Sequence, residues 1–274
     1  MFETVLSYLR FPFMQRALIV GALVSLCAAL LGVSLVLKRY SMIGDGLSHV
    51  GFCALTIAAA ANLAPLEVAV PVVMAAAFLL LRINANSSGI HGDAAIALFS
   101  TTAVALGAIV ISMTKGMSEV SDYMFGKILA LTQSDVVISV ALCLVVLALF
   151  LLFYRRVFAV TFDEDFARAT GAKVGAYNTM LSLLTAVTIV IGMRMMGTML
   201  ISSLIIFPSL TSMRVFSRFR DVMISSAIVS VICFLTGILL SCYFERMPAG
   251  ACVVAVNAVV FVIFSAIGLA KRRA

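Results

Sequence analysis

Residues 14–37 read MQRALIVGALVSLCAALLGVSLVL, and no charged side chain follows Arg16 in this stretch. A helix that crosses the hydrocarbon core of a bilayer needs about 20 consecutive apolar residues. The uncharged part of the stretch is long enough for one crossing. The segment before it lacks the basic start and the small-residue cleavage site of a removable signal peptide. We therefore expect this helix to remain in the protein.

The rest of the chain has the same apolar character. Of its 274 residues, 64% are hydrophobic and 11% are charged, against roughly 45–50% apolar and about 25% charged residues in a soluble domain. So few charges cannot cover a soluble surface, which excludes a secreted domain and a cytosolic enzyme. The net charge of +7 does not indicate nucleic-acid binding, because the basic residues stand singly between apolar runs. A lipid bilayer is the predicted solvent.

Apolar runs bounded by charged residues, Gly, Pro or Asn predict an all-α polytopic membrane protein. The runs at 177–193 and 195–213 are short and nearly continuous, so they form either two spans or one broken or re-entrant element. Eight or nine transmembrane helices are therefore expected, in a single domain over residues 1–274. The nine candidate runs are 14–37, 44–63, 66–81, 94–114, 135–153, 177–193, 195–213, 222–243 and 249–270.

The basic residues predict how these helices are oriented. If the connection after the first run lies inside the cell, thirteen of the nineteen Lys and Arg residues are cytoplasmic and six are external. This asymmetry follows the positive-inside rule and predicts a cytoplasmic C-terminus. The cytoplasmic group is Lys38, Arg39, Arg82, Arg155, Arg156, Arg168, Lys173, Arg214, Arg218, Arg220, Lys271, Arg272 and Arg273, and the external group is Arg10, Arg16, Lys115, Lys127, Arg194 and Arg246.

An acidic side chain and an imidazole stand four residues apart in the second run. Residues 44–49 read GDGLSH, so Asp45 and His49 share one face of a helix. If that helix begins near Arg39, they lie about 9 Å and about 15 Å along it, close to mid-membrane. Oxygen and nitrogen ligands of this kind suit zinc, manganese or ferrous iron. The alternative is structural, with Asp45 as a helix cap and His49 bonded to a backbone carbonyl.

The longest polar connection on the predicted cytoplasmic side joins Tyr154 to Tyr177. It contains FDEDFAR at 162–168, followed by Gly171. Three adjacent acids could suggest a magnesium–diphosphate site, but no second acidic motif accompanies them. A cytoplasmic surface helix that begins with acidic residues at its positive end is favoured instead.

Several catalytic motifs are missing from the sequence. It has no GxxxxGK[ST] phosphate-binding loop, so the chain is not expected to bind ATP in that way. HExxH and GxSxG are missing too, which argues against a metalloprotease and a serine hydrolase. Transport is therefore the leading class of function.

Three motifs resemble the permease subunits of bacterial zinc and manganese ABC importers. They are residues 37–49 (LKRYSMIGDGLSH), residues 162–167 (FDEDFA) with Gly171, and residues 197–208 (GTMLISSLIIFP). The match runs in order from about residue 14 to residue 270. The chain departs from the family after His49, where many members have Pro-Gly and this chain has Gly51-Phe52-Cys53-Ala54.

The resemblance implies a set of site residues and partners. It implies Asp45 and His49 as metal ligands on the transport path, and a cytoplasmic coupling segment containing Asp163, Glu164, Phe166, Ala167 and Gly171. It further implies a homodimer in the bacterial cytoplasmic membrane, served by separate ATPase subunits and an external metal-binding protein. No resident cofactor is expected, only the transported ion.

Some alternatives stay open at the level of sequence. Cys53 lies four residues beyond His49 on the same helix face, so it is either a third, soft ligand or an apolar packing residue. Zinc, manganese and iron share the predicted ligand types. An ATP-independent cation channel or secondary transporter is the competing function, and a membrane enzyme acting on lipid is a third.

Overall fold

The structure is a computed structural model that describes residues 11–40, 42–63, 65–86, 92–113, 133–244 and 247–273. The predicted external bases Arg10, Lys115, Lys127 and Arg246 lie outside these ranges. The regular secondary structure within them is helical. The helices are α1 (Pro12–Leu37), α2 (Ile43–Ala60), α3 (Pro65–Asn86), α4 (Gly92–Met113), α5 (Gln133–Leu152), α6 (Tyr154–Phe162), α7 (Glu164–Ala169), α8 (Val174–Met196), α9 (Thr198–Met213), α10 (Phe219–Tyr243) and α11 (Ala249–Arg273).

Each of the nine predicted apolar runs coincides with a helix, namely α1 to α5 and α8 to α11. Six of them, α1, α2, α4, α8, α10 and α11, are long and apolar enough to cross a membrane. A seventh span results if α5 and α6, which meet at a bend of 67°, count together. The apolar stretch Val68–Leu80 of α3 and the helix α9 are shorter. The all-α membrane fold is confirmed with six or seven candidate spans, where the sequence predicts eight or nine.

Helix α1 lies at the centre of the bundle, in contact with α5, α8, α9 and α10. A Cβ atom at Gly32 would lie only 2.1 Å from the carbonyl oxygen of Ile205, so α1 and α9 meet backbone to backbone. The hydroxyl of Ser230 in α10 donates to the carbonyl oxygen of Ser25 in α1 at 2.9 Å. Small residues and hydroxyl groups of this kind let membrane helices approach closely.

Helices α8 and α9 are separate and fold back on one another. Only Gly197 lies between them, and its φ of 87° is a left-handed conformation that favours glycine. A Cβ atom at Gly192 would lie 2.4 Å from the side chain of Ile201, so the two helices pack together beside the turn. The runs at 177–193 and 195–213 therefore form two helices that meet at Gly197.

Contacts between helix termini define one end of the bundle, called here the basic end. Phe219 at the start of α10 packs against Phe158 of α6, with ring centroids 5.1 Å apart. Ser212 of α9 donates to Ser225 of α10 at 3.0 Å. The helix ends and connections that meet here carry most of the predicted cytoplasmic bases, namely Lys38, Arg39, Arg155, Arg156, Arg168, Lys173, Arg214, Arg218, Arg220 and Lys271.

Candidate functional site

The turn between α1 and α2 decides where the helix carrying Asp45 and His49 begins. Arg39 has a φ of 62°, and the N–H groups of Arg39 and Tyr40 donate back to the last turn of α1 at 3.1 Å and 2.9 Å. This pattern ends a helix on a left-handed residue. Helix α2 therefore begins at Ile43 and not near Arg39. Asp45 and His49 lie about 3 Å and about 9 Å along α2, nearer the basic end than the sequence predicts.

Two glycines flank Asp45 and let α2 pack tightly against its neighbours. A Cβ atom at Gly46 would lie 2.6 Å from the side chain of Ile96 in α4. A Cβ atom at Gly44 would lie 3.0 Å from the side chain of Ile205 in α9. The faces of α2 on either side of Asp45 are covered in this way. The Asp45 side chain itself is 42% exposed.

Asp45 and His49 meet on the uncovered face of α2. The Nε2 atom of His49 lies 3.6 Å from the Oδ2 atom of Asp45, and the His49 side chain is 30% exposed. Met42 is also exposed at the start of α2, whereas Thr56, farther along the same face, is buried. Met42 occupies the N-cap position, so Asp45 is not the helix cap. The pair therefore offers one oxygen ligand and one nitrogen ligand on an open face.

Cys53 is buried in the wall of an apolar groove. The groove has a volume of about 580 Å³ and lies between α2, α3 and α4, where Val72, Leu98 and Leu106 also line it. Among the residues that the structure describes, no three His, Cys, Asp or Glu side chains gather in a way that could hold a metal ion. The surroundings of Cys53 are those of an apolar packing residue.

The predicted coupling segment follows α6 and forms the short helix α7. Asp163 is the N-cap of α7, and its Oδ1 atom accepts a hydrogen bond from the backbone N–H of Phe166 at 2.8 Å. At the other end, Gly171 has a φ of 83°, and the N–H of Ala172 donates to the carbonyl oxygen of Ala167 at 2.9 Å. Asp163 and Gly171 thus fix the two ends of α7.

Adjacent residues of α7 face opposite sides. Ala167 is completely buried, in a small cluster with Val160 of α6 and Val174 of α8. Phe166 is 64% exposed and Phe162 is 57% exposed. Large apolar side chains exposed beside a basic surface are typical of a protein contact. Ala167 therefore holds α7 against the bundle, while Phe166 forms part of its outer surface.

Glu164 ties α7 to two distant helices. Its Oε1 atom accepts a hydrogen bond from Lys38 Nζ of the α1 terminus at 2.7 Å and one from Asn178 Nδ2 of α8 at 3.1 Å. Lys38 Nζ also donates to Asn178 Oδ1, and the Lys38 side chain is only 6% exposed. Burial raises the pKa of Glu164, but the hydrogen bonds and the charges of Lys38 and Arg168 outweigh it, so the pKa is lowered overall.

This arrangement can be compared with known proteins. The model of the ABC 3 transport family matches residues 10–268. The chain belongs to the ABC 3 transport family. The resemblance inferred from residues 37–49, 162–171 and 197–208 is thereby confirmed.

Individual members of the ABC 3 transport family match over nearly the whole chain. The manganese import system permease protein ScaB of Streptococcus gordonii is 27% identical over 92% of this chain and 90% of its own length. The high-affinity zinc uptake system membrane protein ZnuB of Haemophilus influenzae is 26% identical over 92% and 97%. Among solved structures, PsaBC from Streptococcus pneumoniae in complex with Fab superimposes with a TM-score of 0.85 and 28% identity, over 96% of this chain and 95% of that chain.

Two residues of this ABC 3 family chain were not predicted as site residues. The sequence indicates Lys38 as a topology signal and as part of the 37–49 motif, and Asn178 as part of the apolar run at 177–193. Lys38 precedes Glu164 by 126 residues and Asn178 by 140, so no local pattern connects them. The sequence indicates these two residues only by a polar side chain near the end of an apolar run.

Proposed function

We propose that this chain is the membrane-spanning permease subunit of an ATP-driven importer of a divalent transition metal ion. The single observation that carries the proposal is the Asp45–His49 pair on the open face of α2. A carboxylate and an imidazole suit zinc, manganese and iron, and ScaB and ZnuB are named for manganese and zinc. The chain itself is not an enzyme in this proposal, because a separate cytoplasmic subunit hydrolyses ATP.

A homodimer follows from counting ligands. Zinc usually takes four ligands, and one chain offers two on this face. A second copy related by a twofold axis would supply another carboxylate and another imidazole. We therefore infer that the two α2 helices line the ion path at the dimer axis. The exposure of Met42, Asp45 and His49 at the start of α2 supports this, because an exposed start of α2 leaves room for a facing copy.

The path of the chain favours nine crossings. Helix α8 begins at the basic end beside Lys38, and α9 returns to it through the turn at Gly197. Helix α9 would then complete a crossing despite its sixteen residues. Helix α3, whose apolar stretch is also short, would complete a crossing as well. The single permease domain of residues 1–274 would then cross the bacterial cytoplasmic membrane nine times. The basic end and the C-terminus would lie in the cytoplasm.

The remaining partners follow from the chemistry of import. Helix α7 would insert into a cleft of the ATPase subunit, with Phe166 and Phe162 in contact with that subunit. A metal-binding protein outside the cell would deliver the ion. An ion on the path must bind only briefly, since tight binding would prevent its release.

The test of this function is transport in a closed vesicle. The permease is reconstituted with its ATPase and its external binding protein, and uptake of radioactive zinc and manganese is measured with ATP supplied to the ATPase side. Uptake should require ATP and should stop when the ATPase carries an inactivated catalytic residue. Uptake that continues with the inactive ATPase would contradict the proposal and favour a channel or a secondary transporter. A purified complex with one permease chain would contradict the dimer.

A further inference from the structure

Lys38, Glu164 and Asn178 form a closed set of three hydrogen-bonded side chains. Each member contacts the other two: Lys38 donates to Glu164 and Asn178, and Asn178 donates to Glu164. The three residues come from three different elements, the C-terminus of α1, the first turn of α7 and the second turn of α8. We call this set the Lys38 cluster.

The Lys38 cluster holds a buried charge. The Lys38 side chain is 6% exposed, whereas the Glu164 side chain is 44% exposed. A buried ammonium group is stable only when its charge is paired and its hydrogen bonds are satisfied. Any displacement of α7 that carries Glu164 away would leave the charge of Lys38 without its partner. The terminus of α1 should therefore move together with α7.

The backbone connects Lys38 directly to the helix of the metal pair. Lys38 is the C-cap of α1, and the left-handed turn at Arg39 leads to the first residue of α2, Ile43. This turn is closed by backbone hydrogen bonds, from Tyr40 N–H to the carbonyl of Leu35 at 2.9 Å and from Ile43 N–H to the carbonyl of Tyr40 at 3.1 Å. Only a short connection therefore separates Lys38 from the first residue of α2.

We propose that the Lys38 cluster is the mechanical link that couples α7 to the Asp45–His49 pair. Movement of α7 on the ATPase shifts Glu164, Lys38 follows because its charge requires a partner, and the closed turn moves the start of α2. Asp45 lies two residues after that start, so its position relative to a facing ligand changes with α7. Lys38, Glu164 and Asn178 are positioning residues, since none of them contacts the ion. This inference rests on the proposed function and adds the route of coupling to it.

The experiment measures the number of ATP molecules hydrolysed per metal ion imported. In the reconstituted complex, Glu164→Gln keeps the size of the side chain and removes its charge. We expect ATP hydrolysis to continue while the ATP-to-metal ratio rises by about fivefold or more, the scale of a coupling between two sites. The double variant Lys38→Glu/Glu164→Lys restores opposite charges at the two positions and should bring the ratio back toward the wild-type value.

Asp221→Asn is the matched control. Asp221 lies in the first turn of α10 at the same end of the bundle and belongs neither to the Lys38 cluster nor to α7. Its ratio should equal that of the wild type. If Glu164→Gln did not assemble with the ATPase, Asn178→Ala is measured in its place, and its ratio should also rise.

The experiment distinguishes a failure of the proposed function from a failure of the coupling link. If the wild-type complex imports no metal with ATP, the proposed function is wrong. If the wild-type complex imports metal and the assembled Glu164→Gln variant, or Asn178→Ala in its place, keeps the wild-type ratio, the proposed function stands and the link through the Lys38 cluster is wrong.

Discussion

Phe166 and Ala167 are neighbours in α7, yet Phe166 is 64% exposed and Ala167 is completely buried. Helix α7 has only six residues, too few for a hydrophobic period to reveal which face is covered. The sequence predicts that both residues belong to the coupling segment, but it does not predict which of them is exposed. The structure places them in different surroundings, and their substitutions should fail in different ways.

Phe166→Glu should abolish ATP-driven metal uptake while the permease still folds. A charge at an exposed position disturbs no internal packing, but it opposes burial against an apolar cleft. Copurification of the ATPase should be lost, and the melting temperature of the permease alone should be unchanged. Normal copurification and uptake would contradict the docking role of α7.

Ala167→Glu should instead destabilise the permease itself. Its carboxylate would have to enter the closed contact with Val160 and Val174, and burying a charge among apolar side chains is costly. The melting temperature of the isolated permease in detergent should fall clearly. A variant that melts like the wild type and loses only its ATPase would show that Ala167 faces the partner.

Gly171→Ala tests the shape of the coupling segment. A side chain at Gly171 meets no atom within 4 Å, so its only cost is the left-handed φ of 83°, about 1 kcal/mol. Gly175→Ala is the matched control, because Gly175 also has open space but lies in helix α8. Gly171→Ala should lower the melting temperature and weaken ATPase binding, whereas Gly175→Ala should be neutral or slightly stabilising. Equal behaviour of the two variants would contradict this account.

The ion pair of Glu164 predicts a pH dependence of stability. The pKa of Glu164 is lowered from its ordinary value of 4.5. The stabilising contribution of the ionised group is therefore complete above that value and is lost as the pH falls through the lowered pKa. The melting temperature of the wild type should exceed that of Glu164→Gln between pH 5 and pH 7, by an amount that solvent screening keeps modest. The difference should vanish toward more acidic pH, and a difference that grew with acidification would be inconsistent with the pair.

The sequence predicts the elements well and their ends less well. All nine apolar runs are helices, because a helix satisfies the backbone hydrogen bonds of an apolar segment within the segment itself. The depth expected for Asp45 and His49 assumes a helix that begins near Arg39, and it is too great because Arg39 takes a left-handed conformation that is uncommon for a residue other than glycine. The Lys38 cluster was not predictable, since its members come from separate parts of the chain and meet only after folding.

The orientation of the chain is testable in intact cells. Ala274→Cys places a thiol after Arg273, on the side predicted to be cytoplasmic, and Leu63→Cys places one at the exposed end of α2 away from the basic end. An impermeant maleimide should label Leu63→Cys and leave Ala274→Cys unlabelled until the membrane is opened. The reverse pattern would invert the topology.

Uptake of radioactive manganese and zinc by variants of Asp45 and His49 decides whether this pair lies on the ion path. Asp45→Ala and His49→Ala are measured in complexes that assemble normally with the ATPase, with Cys53→Ala as a control on the same helix. Both variants should lose most of their uptake, while Cys53→Ala should import metal like the wild type because Cys53 lines an apolar groove. Near wild-type uptake in both Asp45→Ala and His49→Ala would show that the pair is not part of the ion path.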